Sequence, residues 1–357
     1  MSLLEYADRT VPDIVKKSVP AFYNDDPMFK QLRSRGRIVR SGGSSVRVLR
    51  IKSGHSDATE IDGANIQVDL TKRDTTSAMS GDWGKYIKPI VLPHYDIDRM
   101  ASAEDKARYV KDTTMAASLS MFNDVIQRIY VADRTGKNAF LACGTLNGNK
   151  SNGSKSGFTN GALRLQSPTA QAAAAVTYLN ETRVEDTTRY EDNWYNQYKQ
   201  HGGIGTNALR AIEEVKATAD SFAQGGDGIT IGILSIADFI LLCDEIRSYP
   251  GGGGQSAVIY TAEDLEKGRV HKQIQQAAGI QFHANRWMTA ARVGSTGVIW
   301  LLNPDGIEWW VNAGHDFKVS KFVDFLKTTG QDADVGFISL EAQFAVPGLL
   351  MCGAVSA

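Results

Sequence analysis

Residues 207–246 have the sequence NALRAIEEVKATADSFAQGGDGITIGILSIADFILLCDEI, and this stretch decides the fold. In its first part, Leu209, Ile212 and Val215 recur at helical spacing, which predicts an amphipathic helix. GITIGIL then has the length and the apolar, β-branched composition of a short buried strand. Ser235 precedes a second apolar segment with helical spacing and is placed to cap its N-terminus. This alternation of helix and strand indicates an α/β domain.

Short segments rich in β-formers follow toward the C-terminus. They are AGIQFHANRWM (278–288), GVIWLLN (297–303), DGIEWWVN (305–312) and ISLEAQFAVPGLLMCGAV (338–355). Their β-branched and aromatic residues predict strands, and the last segment predicts a final strand pair. Trp309 and Trp310 fit packing better than a sugar-binding platform.

A long helix is predicted over residues 102–133, upstream of the α/β domain. Ser102 and Asp105 resemble an N-terminal capping pair, and no Pro or Gly interrupts the segment before Gly136. At 1.5 Å per residue this helix would be about 45–50 Å long. Its narrow apolar stripe, which we expect to face the core, consists of Met115, Leu119, Phe122, Ile126 and Ile129.

Three strands are predicted before this helix, in SVRVLRIK (45–52), ANIQVDL (64–70) and KYIKPIVLP (85–93). Pro89 has no amide hydrogen and favours an edge position for the third strand. Residues 53–84 are mostly small and polar and contain several glycines. We therefore expect a long projecting hairpin there, and not a layer of the core.

The N-terminal residues 1–40 are predicted to form an arm, because Pro12, Pro20 and Pro27 interrupt any long helix. The chain then carries eight basic residues and no acidic residue between positions 30 and 52. This run is either a solvated basic face or an arm that pairs with the acidic residues of a neighbour or with nucleic acid. The eight are Lys30, Arg33, Arg35, Arg37, Arg40, Arg47, Arg50 and Lys52.

The composition excludes several classes of protein. The chain has 357 residues, of which 42% are hydrophobic and 22% charged, and its formal net charge is -1. This charge excludes a globally basic nucleic-acid coat and a polybasic membrane binder. We expect no transmembrane span, because no stretch approaches the roughly 18 uninterrupted apolar residues required. The N-terminus also lacks the basic-then-apolar order of a signal peptide.

The residue types that bind metals or form disulfides are scattered. Cys143, Cys243 and Cys352 include no CxxC pair, so we expect three reduced, mostly buried thiols. The histidines are isolated in sequence, and no HExxH or other metal pattern occurs. The six are His55, His94, His201, His271, His283 and His315.

Two glycine-rich segments are similar to nucleotide-binding motifs, and each lacks a necessary part. In GTLNGNKS (144–151), Asn149 occupies the place of the second glycine of a phosphate-binding loop. Residues 203–208 match GxGxxA, but no apolar strand precedes them. No GxSxG elbow is present, and acidic pairs are too common to identify a general acid and base. The sequence therefore predicts no enzyme, and no catalytic, cofactor-binding or metal residue.

The order of these elements resembles that of the major capsid proteins of tailed bacteriophages, which have the Hong Kong 97 fold. The resemblance is most specific where NALRAIEEVKATADSF, GITIGIL, SIADFILLCDEI and AGIQFHANRWM follow the family's order of helix, strand, helix and strand. VGSTGVIWLLNPDGIEWW resembles the next apolar strand and glycine turn, and EAQFAVPGLLMCGA resembles the closing strand. The polar stretch 144–202 is longer than a minimal member needs, which suggests an insertion that decorates the surface.

The resemblance implies an α+β fold with an N-terminal arm, an extended β-hairpin loop, a long spine helix in a peripheral domain, and an α/β axial domain. The implied boundaries are 1–44 for the arm, 45–99 for the hairpin loop with its flanking strands, 100–202 for the peripheral domain, 203–315 for the axial domain and 316–357 for a return to the peripheral domain.

The resemblance also implies a function. The chain would be a structural subunit that assembles with itself, as pentamers and hexamers, into the icosahedral phage head around double-stranded DNA. Scaffold and portal proteins, a decoration protein and nonspecific contact with the packaged DNA are the implied partners, with no membrane and no cofactor. The chain would be made into capsids in the host cytoplasm and would remain in the virion. Two alternatives stay open: the shell protein of an encapsulin-type compartment, and an α/β enzyme with a site in residues 203–315.

In an assembled shell, some charged residues would contact a neighbouring subunit. Lys52 and Lys72 are candidates, by position alone, for the lysine that some relatives crosslink to an asparagine. The candidate intersubunit contacts are Arg33, Arg35, Arg37, Arg40, Arg47, Arg50, Asp57, Glu60, Asp62 and Asp69.

Overall fold

The structure is a computed structural model of the chain. It describes residues 3–51, 76–100, 102–130, 144–145, 163–165, 167–173, 177–179, 181–182, 184–185, 193–204, 207–223, 226–248, 275–288, 297–325 and 332–357. These residues belong to two compact units. The first unit contains Met1–Ser44, Asp82–Gly144 and Glu308–Phe344, and the second contains Ser45–Gly81, Thr145–Ile307 and Ala345–Ala357.

The helices are α1 Leu3–Asp25, α2 Pro27–Ser34, α3 His94–Asp98, α4 Ala103–Tyr130, α5 Pro168–Ala173, α6 Ala208–Ser221 and α7 Ile236–Ser248, with 3₁₀ turns at Pro304–Gly306 and Leu349–Met351. The strands are β1 Ile38–Ser41, β2 Ser45–Ile51, β3 Thr76–Asp82, β4 Gly84–Pro93, β5 Gly144–Thr145, β6 Leu163–Arg164, β7 Thr177–Tyr178, β8 Glu181–Thr182, β9 Gln197–Gln200, β10 Ile231–Ser235, β11 Gln275–Ala277, β12 Ile280–Asn285, β13 Ile299–Leu302, β14 Glu308–Asn312, β15 Lys318–Val319, β16 Val323–Asp324, β17 Ala333–Ala345 and β18 Gly353–Ser356.

The core of the second unit is a six-stranded sheet in the order β11-β12-β10-β13-β18-β9. The central strand β10 is parallel to β12 and antiparallel to β13. Leu209, Ile212 and Val215 of α6 are buried in one core cluster with Leu234 of β10 and Leu301 of β13. The predicted helix, strand and second helix of residues 207–246 are therefore confirmed, since helical spacing placed the apolar side chains on one face.

Two glycines of this sheet allow close packing. A Cβ atom on Gly232 would lie 2.4 Å from a ring carbon of Phe282, its partner on β12. A Cβ atom on Gly353 would lie 2.3 Å from Cγ1 of Val215 on α6. Any larger residue at either position would push a core side chain away, because protein interiors are close-packed.

The core of the first unit is built around α1 and α4, whose buried aromatic side chains meet. The ring of Phe22 on α1 lies 4.8 Å from Phe122 on α4 and 5.5 Å from Phe317. The predicted long helix is confirmed as α4, and its predicted cap is also present. Ser102 Oγ accepts a hydrogen bond from the Asp105 amide at 3.0 Å and donates to the Asp105 carboxylate at 2.6 Å.

The sheet of the first unit has the order β1-β14-β17-β15, with β16 and β4 also pairing with β17. Strand β4 forms a ten-residue antiparallel ladder with β17, from Ala333 opposite Pro93 to Ala342 opposite Gly84. No other strand of the described residues pairs with β4, so the edge position predicted from Pro89 is confirmed. Trp309 on β14 is fully buried, in agreement with a packing role.

The prediction that prolines prevent a long N-terminal helix is wrong. Helix α1 is continuous through Pro12 and Pro20, both of which are at exposed positions. A proline inside a helix costs about 3 kcal/mol. Burial of the opposite face, at Ala7, Val11, Val15 and Phe22, offsets that cost. Residues 3–25 are thus a packed element of the first unit, and not an arm.

The predicted final strand pair is also different in the structure. Strands β17 and β18 both form, but they join different sheets, one in each unit. Strand β18 pairs with β13 and β9, so residues 353–356 complete the sheet of the second unit. Strand β14, placed by the sequence at the end of the axial domain, belongs to the first unit.

Only part of the predicted apolar stripe of α4 faces the core. Phe122 is 6% exposed, whereas Leu119, three residues earlier, is 58% exposed and Met115 is also exposed. We therefore expect Phe122→Ala to lower the free energy of unfolding of the dissociated subunit by about 3–5 kcal/mol. Leu119→Ala, the matched control, should change it by about 0.5 kcal/mol or less. Urea denaturation followed by circular dichroism measures both, and equal losses would contradict this division of the helix.

Asp26 gives the first unit a pH-dependent stability. Its carboxylate caps α2 by accepting from the amides of Met28 and Phe29, at 3.0 and 3.2 Å, and it accepts from the Tyr130 hydroxyl at 2.8 Å. Burial raises the pKa of Asp26 from 3.8 to about 6, more than these hydrogen bonds lower it.

Because the folded state holds this proton more tightly than the unfolded state, stability falls as pH rises through the window between about 4 and 6. Asp26→Asn keeps the capping oxygen without the charge. Between pH 4 and pH 7, we expect the natural chain to lose about 2–3 kcal/mol of unfolding free energy relative to this variant. Denaturation at several pH values measures this shift, and a constant difference would contradict it.

Candidate interaction surfaces

An apolar stripe lies on the outer face of α7 in the second unit. Ile236 is 52% exposed and Ile240, one turn later, is 57% exposed, with Leu241 exposed beside them. The opposite face of the same helix carries Leu242 and Ile246, which are buried in the core cluster. The helix is therefore apolar on both faces, and a soluble helix normally keeps its outer face polar. Exposed contiguous apolar residues of this kind mark interaction sites.

The N-terminus of α7 holds this stripe in place. Ser235 Oγ accepts a hydrogen bond from the Asp238 amide at 3.0 Å, and its hydroxyl donates to the Asp238 carboxylate at 2.7 Å. The predicted capping role of Ser235 is confirmed. A capped first turn fixes the direction in which Ile236 and Ile240 project.

The first unit has an apolar groove of about 640 Å³ between α1 and α4. Its apolar lining includes Ile14, Met115, Leu119 and Ile126. Lys17, Lys111 and Asp25 supply charged groups around these side chains. Helical spacing predicted that Leu119 and Met115 face the closed core, but in the structure they line this open groove.

A third exposed apolar surface lies on the edge strand β4. Ile87 and Val91 are both exposed, and they alternate with residues that pack inward, such as Ile90 and Leu92. Exposed edge strands are usually protected by charges. Two lysines supply such charges on β4. Lys85 forms an ion pair with Glu341 at 3.2 Å, and Lys88 forms one with Asp124 at 3.9 Å.

Several of the basic residues predicted to contact a neighbour already have partners within their own unit. Arg40 forms an ion pair with Asp316 at 2.8 Å, and Arg37 approaches Glu308 at 3.5 Å. Arg33 donates to the Asn24 side chain at 3.1 Å. Arg35 is half-buried, and Arg47 is exposed.

Arg50 has a structural role that the sequence did not reveal. Its guanidinium forms an ion pair with Glu181 at 2.8 Å, donates to the Asn193 carbonyl at 3.1 Å, and stacks over Trp194 at 5.2 Å. Only 4% of Arg50 is exposed. Arg50 is thus occupied inside the second unit, and removing it would leave Glu181 half-buried without its cation.

The remaining residues of the predicted contact set lie outside the described residues. They are Asp57, Glu60, Asp62 and Asp69, and the crosslinking candidates Lys52 and Lys72 also lie there. The strands that flank this segment are described: β2 and β3 pair with each other in a two-stranded sheet. The sequence predicted β2 but not β3, and the projecting hairpin itself stays a prediction.

The two nucleotide-like motifs have different outcomes. Most of GTLNGNKS, including Asn149, lies outside the described residues. At Gly203 the prediction is confirmed, because the strand that precedes the motif, β9, has the polar sequence QYKQ and is not apolar. That strand is polar, lies at the edge of the sheet and pairs only with β18 among the described strands. It is therefore not adjacent to β10, as a dinucleotide-binding β-α-β unit would require.

The described cysteines, Cys243 and Cys352, are buried and form no disulfide with each other, in agreement with the prediction of reduced thiols. Burial raises the pKa of Cys352 to about 12, so its thiol stays protonated and unreactive. Cys143 lies outside the described residues. Among the described residues, none of the helices is both long enough and apolar enough to cross a bilayer.

One histidine is not isolated in space. His94 begins α3, directly after β4, and its Nδ1 lies 2.6 Å from an Asp332 carboxylate oxygen. Its Nε2 lies 3.1 Å from Oδ1 of Asp334, and Asp324 lies close to both. Hydrogen bonding to Asp332 and Asp334 raises the pKa of His94 above its usual value. No sequence pattern revealed this cluster, because about 230 residues separate the histidine from the acids and only the β4–β17 ladder brings them together.

Comparisons with known proteins identify the architecture. No family model matches the chain, and no curated protein matches its sequence. Among solved structures, a chain of the cyanophage A-1(L) capsid asymmetric unit is 13% identical, with a TM-score of 0.54 and a match that covers 92% of each chain. A chain from the capsid of an empty GTA particle is 10% identical, with a TM-score of 0.51, over 91% of this chain and 95% of that one. A chain from Mycobacterium phage Adephagia is 12% identical, with a TM-score of 0.52, over 91% and 89%.

Proposed function

We propose that this chain, which has the Hong Kong 97-like fold of phage capsid subunits, is the major capsid protein of a tailed bacteriophage and assembles with itself into an icosahedral head around double-stranded DNA. The observation that carries the proposal is that the fold is shared over about nine-tenths of the chain with subunits of assembled capsids. A fold alone does not fix a function, so surfaces suited to assembly must support the proposal.

The exposed apolar surfaces supply that support. The α7 stripe, the α1–α4 groove and the outer face of β4 each expose large aliphatic side chains. A closed shell requires one chain to contact several identical neighbours through different patches. Three separate patches fit pentamers and hexamers better than they fit a single dimer interface. Many contacts of modest strength also allow incorrect contacts to be reversed during assembly.

The basic residues that remain at the surface are available for ion pairs with a neighbouring subunit. Arg33, Arg40 and Arg47 are exposed, and we propose that they meet the acidic residues of a neighbouring subunit's loop 53–84. Each exposed ion pair would contribute about 1 kcal/mol or less, but the shell repeats every pair many times. Arg50 is excluded from this proposed set because it is buried.

The near-neutral net charge fits a wall that encloses DNA without binding it strongly. We further propose that scaffold and portal proteins, and a decoration protein on the outer surface, interact with the assembled subunits. Assembly would take place in the host cytoplasm, and the finished chain would remain in the virion capsid. We propose a structural role, and no catalytic role, for residues 203–315.

Electron microscopy of the purified chain tests this proposal. We expect closed particles of uniform size that separate from free subunits on a sucrose gradient. Particles from infected cells should contain DNA that resists nuclease until the shell is opened. Uniform particles that hold an enzyme in place of DNA would support the encapsulin alternative, and a chain that stays monomeric at high concentration would contradict both.

A further inference from the structure

One part of the first unit places three carboxylates around a single imidazole. His94 is at the end of β4, Asp324 is on β16, and Asp334 is on β17, with Asp332 just before it. One ligand atom from each of His94, Asp324 and Asp334 lies within 4.8 Å of the other two.

The two closest acids face each other across the sheet. Asp324 is directly opposite Asp334 in the antiparallel pairing of β16 with β17. Like charges in this arrangement destabilise a sheet. Asp334 is only 3% exposed, and its Oδ1 has no hydrogen-bond partner of good geometry among the described residues. A buried carboxylate oxygen without a well-placed donor is costly, and a cation bound beside it would remove that cost.

The orientation of the His94 imidazole indicates where a cation would bind. Asp332 lies 2.6 Å from Nδ1 of His94, so this nitrogen donates its hydrogen to the carboxylate. The other ring nitrogen, Nε2, lies 3.1 Å from Oδ1 of Asp334. A nitrogen and a carboxylate oxygen at this distance have a cation between them, which is either a proton on Nε2 or a metal ion. A histidine that binds a metal through one nitrogen and donates to a carboxylate through the other has this same arrangement.

We propose that Nε2 of His94 and the carboxylates of Asp324 and Asp334 bind one divalent transition-metal ion of the zinc type, with Asp332 as the residue that orients the imidazole. One nitrogen and two carboxylate oxygens, with water in the remaining position, suit Zn²⁺, whereas Ca²⁺ and Mg²⁺ prefer oxygen ligands alone. The ligand atoms of a tetrahedral zinc site lie about 3.3–3.5 Å apart, given bonds of about 2.0–2.2 Å. Rotation of the half-exposed Asp324 and His94 side chains closes the observed spacing to that value.

Such a site would join the start of α3 to two strands of the sheet. The metal would then connect the β4 edge to β16 and β17 within one subunit, and it would stabilise the first unit. This inference goes beyond the capsid function, and it would hold even if the chain did not form shells.

The test uses the full-length subunit, stripped of metal by a chelator and dialysed at neutral pH against ZnCl₂. We expect mass spectrometry of the metal content to find one zinc ion per chain, and the melting temperature to rise when zinc is returned. His94→Gln and Asp334→Asn should each lower the zinc affinity at least about tenfold. His315→Gln is the matched control, because His315 also lies near an acid, Glu341, at 4.0 Å, but lacks the other ligands. It should bind zinc as the natural chain does.

A second measurement uses only the natural chain, so its result does not depend on whether the variants fold. Co²⁺ added to the metal-free natural chain should give visible absorption bands that Zn²⁺ removes and that Ca²⁺ at the same concentration does not. Zinc binding that both ligand variants retain would overturn the proposal, and so would a natural chain that takes up no zinc or cobalt, since a proton would then be the cation between His94 and Asp334. Particles without zinc would overturn the metal site and leave the proposed capsid function standing.

Discussion

Replacement of both Ile236 and Ile240 with serine should give a folded, soluble subunit that no longer closes shells. Both side chains are more than half exposed in the free subunit, so their loss should change its unfolding free energy by only about 0.5 kcal/mol each. About half of each side chain is already buried in the free subunit, so a neighbour that covers the rest would gain roughly 0.8–1.5 kcal/mol from each. The loss of both contributions should raise the concentration needed for assembly about ten- to hundredfold.

Light scattering and sedimentation measure assembly, and circular dichroism measures the fold of the same samples. Ala237→Ser is the matched control, because it adds a hydroxyl at an exposed position of the same helix face without removing a large apolar side chain. It should assemble as the natural chain does. If the double variant forms normal particles, the α7 stripe does not face a neighbour in the shell. If it does not fold, Ile236 and Ile240 belong to the core.

Shortening of the extended loop should also prevent assembly without unfolding the subunit. The segment 54–73 is rich in small, polar and acidic residues and has little apolar surface with which to order itself. Its replacement by Asn-Gly leaves β2 and β3 intact and joined by a tight turn. A longer deletion into residues 76–81 would remove β3, in which Met79 is fully buried, and would therefore damage the second unit itself.

We expect the shortened chain to keep its circular dichroism spectrum and to sediment as free subunits or as incomplete shells. A second variant separates charge from length: Asp57, Glu60, Asp62 and Asp69 are changed to the corresponding amides in a loop of natural length. If the proposed ion pairs with Arg33, Arg40 and Arg47 matter, this variant should form shells that dissociate at lower salt than natural shells. Normal, salt-resistant particles from the shortened chain would show that the loop does not bind a neighbour.

The local elements of this protein were largely determined by its sequence. The spacing of Leu209, Ile212 and Val215, the cap at Ser235 and the cap at Ser102 each predicted an element that the structure contains. These signals are local: a cap connects residues three positions apart, and an amphipathic stripe repeats within one or two turns. The order of the elements then indicated the fold, because few arrangements of helices and strands bury their apolar faces together.

Tertiary structure decided which of those apolar faces are covered and which polar groups meet. Helical spacing cannot distinguish Phe122, which packs against Phe317, from Leu119, which lines an open groove. The same limit explains α1, whose two prolines predicted a break although burial of the opposite face outweighs their cost.

Long-range pairing decided the rest. Arg50 meets Glu181 from 131 residues away, and His94 meets Asp332 from 238 residues away. Strands β17 and β18, only a few residues apart, separate into two different sheets. The energy of each of these contacts depends on distance and burial, which the folded chain sets and the order of residues does not reveal. The sequence by itself therefore determined the elements and the fold they resemble, while only the tertiary structure revealed the buried ion pair, the exposed apolar surfaces and the histidine–aspartate cluster.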